Sequence, residues 1–192
     1  MGYKTIRKRA ESSFTEKKSE FIGYISPAAT EEEAIAFINE IRAMHRKATH
    51  NCYAYILRNN NTSRHSDDGE PGGTAGMPIY DVLSKNGITD VVCVVTRYFG
   101  GILLGTGGLV HAYSKGASTA LANSDIVTME VADSLKISCD YTMYGMIGSV
   151  LPEYGAIIRN TEYSDIVCVY ADVKAELTAE LISKLIDKCN GK

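Results

Sequence analysis

The sequence lacks the features that mark membrane and secreted proteins. It has no apolar run of about 18 residues, so it contains no candidate transmembrane helix. Its first residues, Met-Gly-Tyr-Lys-Thr-Ile-Arg-Lys-Arg, lack the apolar stretch of a secretory signal. Its five cysteines form no C-x-x-C pair and lie far apart, mostly among apolar residues, which predicts reduced and buried thiols. We therefore expect a cytoplasmic protein without membrane contact.

A large excess of either charge is also missing. The chain has 20 basic and 23 acidic side chains and a formal net charge of −3. Residues 1–18 carry six Lys or Arg against two acids, whereas residues 126–192 carry six against ten. This asymmetry is compatible with a polyanion partner for the N-terminal part, but it is far weaker than in a dedicated nucleic-acid binder. Taken alone, it favours an exposed, solvated N-terminal segment.

Glycine, in contrast, is abundant at one place. Five glycines occur within the nine-residue segment Gly-Gly-Ile-Leu-Leu-Gly-Thr-Gly-Gly: Gly100, Gly101, Gly105, Gly107 and Gly108. The segment follows a predicted strand, 90–99, and precedes a predicted helix, 109–123. A strand, a glycine loop and a helix N-terminus in this order leave free N–H groups at the positive end of a helix dipole. The pattern predicts either an anion site or a tight backbone contact.

Two nucleotide-binding motifs built on glycine do not fit this segment. A P-loop requires Lys followed by Ser or Thr after its last glycine, but Leu109 and Val110 occupy these positions. The dinucleotide pattern G-x-G-x-x-G, started at Gly105, meets Val110 where its third glycine belongs. The sequence therefore argues against nucleotide hydrolysis and nicotinamide chemistry, and we predict no cofactor.

The rest of the N-terminal part predicts alternating strands and helices. Thr30 and Glu33 form a capping box for a helix that runs to about residue 47. Pro78 suits the first turn of a short helix to about residue 85. Strands are predicted at 20–26 and 51–58, and the aperiodic segment 59–76 is predicted to be a long loop.

After Asp125 the pattern changes to that of a second, smaller domain. It predicts strands within 127–140, a helix over 141–154, a hairpin of 156–163 and 166–173, and an amphipathic helix over 175–189. Strand–helix–strand–strand–helix is the ferredoxin-like order without its last strand. We expect residues 1–125 and 126–192 to form the two domains.

Three motifs, in order and at plausible spacing, carry a resemblance to a known family. They are His50-Asn-Cys-Tyr-Ala-Tyr, then Ser66-Asp-Asp-Gly-Glu-Pro-Gly-Gly-Thr-Ala-Gly-Met-Pro78, and then the segment from Val95 to Ser114 that contains the glycine loop. Residues 14–121 closely resemble the YigZ/IMPACT family, and residues 126–192 look like its smaller C-terminal domain. The first two motifs contain His50, Asp67, Asp68, Gly69, Glu70 and Thr74.

The resemblance implies an α+β protein of two domains. These are an N-terminal α/β sandwich of the ribosomal protein S5 domain 2 type and a C-terminal ferredoxin-like α/β domain that lacks its last strand. Family members usually continue into that strand, so we expect an open or differently completed sheet edge here. Eukaryotic members are linked to control of translation under amino-acid starvation through a kinase-activating partner, and a nucleic-acid or ribosome role is the usual proposal for bacterial members. The family has no established catalytic residues to transfer.

The acidic motif allows more than one interpretation. Asp67, Asp68 and Glu70 lie beside His65 and could converge on a divalent cation, although their spacing is not that of an EF-hand loop. Alternatively, these carboxylates cap helices and fix the glycine loop, with Glu70 accepting hydrogen bonds from the loop amides. The second interpretation is favoured, so no metal site is predicted. A hydrolase that combines the carboxylates with His50 or His65, or that uses a Cys52 nucleophile, is the remaining alternative.

Two basic residues bracket the glycine loop. Arg97 and Lys115, with the free amides between them, could bind a phosphate oxygen. Three aromatic side chains nearby could stack on unpaired bases: Tyr98, Phe99 and Tyr113. The opposing interpretation pairs Arg97 with Asp67 or Asp68 and places the aromatic side chains in the core. The sequence supports the two equally.

We therefore predict a non-enzymatic cytoplasmic protein that binds RNA or the ribosome and modulates translation, with no catalytic residue. Its anion contacts are predicted at Arg97, the five loop glycines and Lys115. The alternative is a regulator that binds a protein partner of a stress response through an exposed apolar patch around Tyr98, Phe99 and residues 102–104. The sequence makes no prediction of oligomeric state.

Overall fold

The computed structural model describes residues 2–189, except for the side chain of Asn60, and it divides into two compact units. The larger unit is Tyr3–Met129. The described part of the smaller unit consists of Gly2 and residues 130–189. The α+β architecture with two sheet-containing parts is as predicted. None of the helices in the described part of the chain is long and apolar enough to cross a membrane.

The larger unit contains seven strands, three helices and a short 3-10 turn at Asn59–Asn61. The strands are β1 (Tyr3–Ile6), β2 (Ala10–Glu16), β3 (Ser19–Pro27), β4 (His50–Leu57), β5 (Thr62–Ser66), β6 (Val91–Tyr98) and β7 (Ile126–Met129). The helices are α1 (Glu31–Met44), α2 (Gly76–Lys85) and α3 (Thr106–Ala122).

A five-stranded antiparallel sheet of order β2-β3-β6-β4-β5 forms the centre of the larger unit. The middle strand β6 is buried on both faces, as its continuous apolar sequence requires. Alternate residues of β6 enter two different cores. Cys93 and Val95 pack with α2 and α3, whereas Val92 and Val94 pack with α1. The sheet is therefore covered by helices on both sides.

Helix α3 crosses the sheet at a point where two glycines meet. A Cβ atom at Gly23 of β3 would overlap the carbonyl oxygen of Gly116 in α3. Only glycine permits this close approach of helix and strand backbones. The approach fixes where the N-terminal turn of α3 emerges at the end of the sheet.

The smaller unit has a three-stranded antiparallel sheet and two helices. Its elements are β8 (Ala132–Cys139), α4 (Tyr141–Glu153), β9 (Ile157–Tyr163), β10 (Val167–Lys174), a 3-10 turn at Ala175–Leu177 and α5 (Thr178–Lys188). The strand order is β8-β10-β9, in which the first strand pairs with the third. This is the predicted ferredoxin-like order, and no strand of the described residues pairs with the outer edge of β8.

Two expectations about the larger unit were wrong. The segment 59–76 is not one long loop, because its residues 62–66 form β5 and pair with β4. The basic side chains of the N-terminal segment are exposed, as expected, and its backbone forms β1 and β2. Helix α3 begins at Thr106 rather than Leu109, so Gly107 and Gly108 lie in its first turn. Strand β5 was not predicted because its sequence, Thr-Ser-Arg-His-Ser, has no alternation of apolar and polar residues. The strands that pair with β1 and β2 cannot be predicted from the local sequence of β1 and β2.

Candidate binding surface

The acidic motif fixes its own segment through internal hydrogen bonds. The carboxylate of Asp67 accepts hydrogen bonds from the backbone N–H groups of Gly73, Ala75 and Gly76, at 2.8, 3.0 and 2.8 Å. These amides include the unpaired N–H groups at the start of α2. Burial acts to raise the pKa of Asp67, but the three hydrogen bonds outweigh it and hold that pKa below its usual value. Asp67 is therefore an ionised cap of α2.

The second carboxylate connects the motif to α1 and β4. Asp68 accepts hydrogen bonds from Nη2 of Arg42 at 2.8 Å and from the backbone N–H of Asn51 at 2.7 Å. The backbone carbonyl oxygen of Asp68 lies 2.8 Å from Nδ1 of His50. The next residue, Gly69, has a φ of 89°, and a Cβ atom at this position would contact the His50 ring. Further along, the hydroxyl of Thr74 donates to the carbonyl of Pro71 at 2.6 Å. Every polar group of the motif described so far thus has a partner inside the unit.

The third carboxylate, Glu70, lies in the protein interior and pairs with Arg97. Nη1 of Arg97 donates to Oε1 of Glu70 at 2.6 Å, and the Tyr113 hydroxyl donates to the same oxygen at 2.7 Å. Both side chains of the ion pair are almost completely buried. Nη2 of Arg97 reaches Oγ of Ser19 at 3.4 Å, and that oxygen also accepts the N–H of Gly100 at 3.2 Å. The expectation that Glu70 accepts hydrogen bonds from the loop amides was therefore wrong: the Gly100 amide bonds to Ser19, and Glu70 is connected to the loop through Arg97 and Ser19.

This placement corrects the predicted role of Arg97 as a surface anion ligand. Its guanidinium carbon lies 5.5 and 5.3 Å from the ring centroids of Phe21 and Phe99, and the residue is 5% exposed. The opposing interpretation, which paired Arg97 with Asp67 or Asp68, correctly gave Arg97 a carboxylate partner but named the wrong residue, since the partner is Glu70. Tyr113 is fully buried and Tyr98 bonds to Nδ1 of His45 at 2.9 Å. Of the three predicted stacking residues, Phe99 is the one that is substantially exposed.

The glycine loop is held against a neighbouring turn and then opens to solvent. A Cβ atom at Gly100 would overlap the carbonyl oxygen of Lys18, so the loop backbone lies directly on the β2–β3 turn. Gly101 and Gly105 have φ of 82° and 77°, and a Cβ at either would meet open space. Gly105 precedes α3 and offers no side-chain cap, and the first turn of α3 contains no acidic residue. The positive end of the α3 dipole therefore faces outward without a counter-charge from its own turn.

Two basic turns lie beside the loop. Lys17 and Lys18 form the two-residue β2–β3 turn, and both have left-handed backbone conformations, with φ of 44° and 65°. On the other side, Thr49 forms two hydrogen bonds with the end of β6 and the residue that follows it. Its N–H donates to the Arg97 carbonyl at 2.8 Å, and its Oγ1 accepts the N–H of Phe99 at 3.1 Å. The exposed Arg46 and Lys47 precede Thr49 in this turn.

The sequence prediction assigned none of these four basic residues to the glycine loop: Lys17 and Lys18 were counted only in the basic charge of residues 1–18, and Arg46 and Lys47 were not considered. Lys17 and Lys18 stand where a two-residue hairpin turn normally has Asn-Gly, so the usual turn signal is missing. Within residues 2–189, no ion pair involves any of the four: Lys17, Lys18, Arg46 and Lys47. Lys115, which the sequence did select, is exposed on α3 with its Nζ 4.4 Å from the ring centroid of Phe14.

The loop also exposes a group of large apolar side chains, here called the loop apolar cluster: Phe99, Ile102, Leu103 and Val110. Their exposed fractions are 45%, 42%, 82% and 40%, respectively. Leu104, between them, turns inward and packs in the core with Leu109. The end of the unit that carries the glycine loop thus combines apolar side chains, basic turns and a free helix N-terminus.

The hydrolase alternative finds little support in the geometry. Cys52 is buried and its thiol donates to the carbonyl of Asp67 at 3.0 Å. Burial raises the pKa of Cys52 far above neutral pH, so the thiol stays protonated. His50 and His65 lie on different strands and pair in register with Arg97 and Ala54. Among the described residues, no group of three or more His, Cys, Asp or Glu side chains is arranged to hold a metal ion.

Comparisons with known proteins cover both units of the chain. A family model described as the Impact N-terminal domain matches residues 17–121, and a model described as a domain of unknown function (DUF1949) matches residues 137–192. The IMPACT family member YvyE of Bacillus subtilis is 39% identical over 191 residues, which are 99% of this chain and 88% of that protein. The IMPACT family member YigZ of Escherichia coli is 36% identical over 178 residues, which are 91% and 87%. A crystal structure of a hypothetical protein, 33% identical, superposes with a TM-score of 0.66 over 100% of this chain and 94% of that one.

Proposed function

Because this chain belongs to the IMPACT family, we propose that it is a non-enzymatic cytoplasmic protein that modulates translation by binding the ribosome through exposed RNA. The family resemblance supplies the link to translation. The observation that carries the RNA contact is the pair Lys17 and Lys18, held in left-handed backbone conformations in a turn whose Lys18 carbonyl lies against Gly100, at the start of the glycine loop that leads to α3.

The backbone of the lysine turn is costly for these residues. A side chain other than glycine or asparagine in the left-handed region costs about 1–2 kcal/mol relative to its usual conformation. Asn-Gly would form the same turn without this cost. Backbone strain that persists in a structure motivates a functional hypothesis, since stability alone does not explain it. The strained turn holds two exposed cations at fixed positions.

The surroundings of the turn suit a phosphate backbone. Helix α3 directs its first N–H groups outward from Gly105 onward, and a helix N-terminus favours an anion through these groups and through its dipole. Arg46 and Lys47 add two exposed cations on the other side of the glycine loop. Phosphate contacts by Lys and Arg release counterions from RNA, which makes such binding weaken steeply with salt.

In this proposal the family motifs position the surface and perform no chemistry. Asp67 caps α2, and Glu70 with Arg97 anchors the start of the glycine loop through Ser19. Arg97 is then a positioning residue, since its guanidinium lies inside the unit. The anion contacts shift from Arg97 to the basic turns, while Gly105, Gly107 and Gly108 keep their place at the α3 N-terminus.

Cosedimentation with purified ribosomes across a salt series tests this proposal. We expect saturable binding whose affinity falls steeply with salt, and we expect Lys17→Glu with Lys18→Glu to weaken binding and reduce the log–log salt slope by about 2. The control variant is Lys184→Glu with Lys188→Glu, which removes two exposed lysines from α5. Equal affinity of both charge variants, or no binding at low salt, contradicts the proposal.

A further inference from the structure

We propose that the loop apolar cluster is a docking site for an acidic amphipathic helix of a protein partner. The cluster consists of Phe99, Ile102, Leu103 and Val110. This inference goes beyond ribosome binding, because it assigns a second class of partner to the same end of the larger unit.

The first argument for a docking site is the exposure of the loop apolar cluster. Scattered apolar side chains on a surface are ordinary, but these four belong to one loop and the first turns of the helix that follows it. Leu103, at 82% exposed, has the largest exposed fraction of the large apolar side chains in the described part of the chain. Leu104 beside it is buried, so the loop turns Leu103 outward while anchoring its neighbour. Exposed apolar side chains grouped in one loop and the adjoining helix turns are typical of interaction sites.

The chemistry of the side chains favours protein over RNA. RNA bases stack on aromatic rings or guanidinium planes, and Phe99 is the one aromatic residue of the cluster. Ile102, Leu103 and Val110 are aliphatic and have no face for stacking. Aliphatic side chains instead pack against the apolar stripe of an amphipathic helix, which is the usual content of a helix-docking contact.

The charge around the cluster selects an acidic partner. The carbonyl oxygen of Lys18 lies against Gly100, and the turn that carries the exposed Arg46 and Lys47 is joined to Phe99 through the hydroxyl of Thr49. The α3 N-terminus adds a positive dipole end. The acidic residues that flank the lysine turn, Glu16 and Glu20, are fewer than these cations. A helix with carboxylates beside its apolar stripe complements this arrangement.

The same charge disfavours a second copy of this chain as the occupant. In a two-fold contact between copies, each patch faces itself, so the basic turns of one copy would oppose those of the other. Opposed like charges weaken association. The apolar side chains alone do not distinguish a protein partner from an anionic membrane surface, so vesicles form one arm of the test.

The test uses a fluorescein-labelled synthetic peptide and fluorescence anisotropy with the intact chain. The peptide is an amphipathic helix of leucine, alanine and glutamate, and a second peptide carries lysine in place of glutamate. Leu103→Asp is the test variant, and Ile157→Asp, at a 57% exposed position of β9, is the matched control. Both positions are exposed enough for the fold to persist, which thermal unfolding verifies.

We expect the glutamate peptide to bind and the lysine peptide to bind at least about tenfold more weakly. Leu103→Asp should weaken binding of the glutamate peptide at least about tenfold, and Ile157→Asp should leave it unchanged. Equal binding by Leu103→Asp and the parent overturns the inference, and so does equal binding of the two peptides. A single-stranded oligouridine or phosphatidylglycerol vesicles that bind through Leu103, with no glutamate-peptide binding, also overturn it. Ribosome binding that survives loss of Lys17 and Lys18 rejects the proposed function and leaves the peptide result standing.

Discussion

Nη1 of Arg97 lies 2.6 Å from Oε1 of Glu70, and both side chains are enclosed by the core of the larger unit. The pair connects the end of β6 to the acidic motif, and the Tyr113 hydroxyl adds α3 to the same oxygen. Three segments far apart in sequence therefore meet at one carboxylate. This connection holds the glycine loop and the α3 N-terminus in a fixed position.

Breaking this pair should destabilise the larger unit strongly. Arg97→Met leaves Glu70 as a buried charge without its cation, which costs about 3–5 kcal/mol of unfolding free energy. The double variant Arg97→Met with Glu70→Leu removes both charges and should recover much of that loss. Urea unfolding curves of the parent, the single variant and the double variant measure this. A single variant within about 1 kcal/mol of the parent would show that the ion pair is not enclosed as described.

The Asp67 cap should make the larger unit sensitive to acid. The pKa of Asp67 is lower in the folded state than in the unfolded chain, so its stabilisation is complete above the unfolded value and is lost as pH falls through the folded value. Asp67→Ala should cost about 1–2 kcal/mol at neutral pH by removing the cap of α2. It should also reduce the loss of stability between neutral pH and about pH 3. Urea unfolding at several pH values gives both quantities, and parallel curves for parent and variant contradict the assignment.

Two glycines of the loop segment should respond oppositely to alanine. At Gly100 a Cβ overlaps the Lys18 carbonyl, so Gly100→Ala must displace the loop or the lysine turn and destabilise the unit by at least about 1–3 kcal/mol. At Gly107 a Cβ meets open space within the first turn of α3, so Gly107→Ala should stabilise by about 0.5–1 kcal/mol. Thermal unfolding of the two variants compares them directly. Equal effects of the two substitutions would contradict the packing of the loop on the turn.

The cysteines should differ in reactivity according to burial. Cys52 and Cys93 are buried, and burial raises the pKa of Cys93 to about 12. Neither forms much thiolate at neutral pH, so both should resist alkylation in the folded protein. Cys139, Cys168 and Cys189 are partly exposed and should react first. Mass spectrometry of tryptic peptides after brief iodoacetamide treatment measures the order, and early labelling of Cys52 would restore the nucleophile hypothesis.

Local patterns in the sequence were sufficient for the main elements near the site. The apolar run of β6, the capping box of α1 and the proline in α2 all predicted elements that the structure contains. The acidic motif was also correctly favoured as a bracing segment, since Asp67 has the short side chain that caps a helix start. The interpretation that paired Arg97 with Asp67 or Asp68 named the wrong carboxylate, because the neighbouring Glu70 forms the ion pair. Tertiary packing, which sequence spacing does not reveal, buries Glu70 against Arg97, while Asp67 bonds to the start of α2 and Asp68 bonds to Arg42.

The missed parts depend on contacts between distant segments. Strand β5 consists of polar residues and is defined by its pairing with β4, which no local periodicity reveals. The lysine turn contains no Asn or Gly, the residues that usually indicate a two-residue hairpin turn. Its strain is visible only in the backbone angles. The early start of α3 follows from Leu109 and Tyr113 packing in the core, which orders two glycines that have low helix propensity.

The lysine turn provides the most direct measurement of the central claim, since stability and binding should change in opposite directions. Replacing Lys17 by Asn and Lys18 by Gly relieves two left-handed conformations, so the double variant should be more stable than the parent by about 1–2 kcal/mol. The same variant loses two cations from the proposed RNA-binding surface. Thermal unfolding and ribosome cosedimentation on one preparation should show a higher Tm together with weaker, less salt-dependent binding. A higher Tm with unchanged ribosome affinity would contradict the claim that these lysines are kept for contact with RNA.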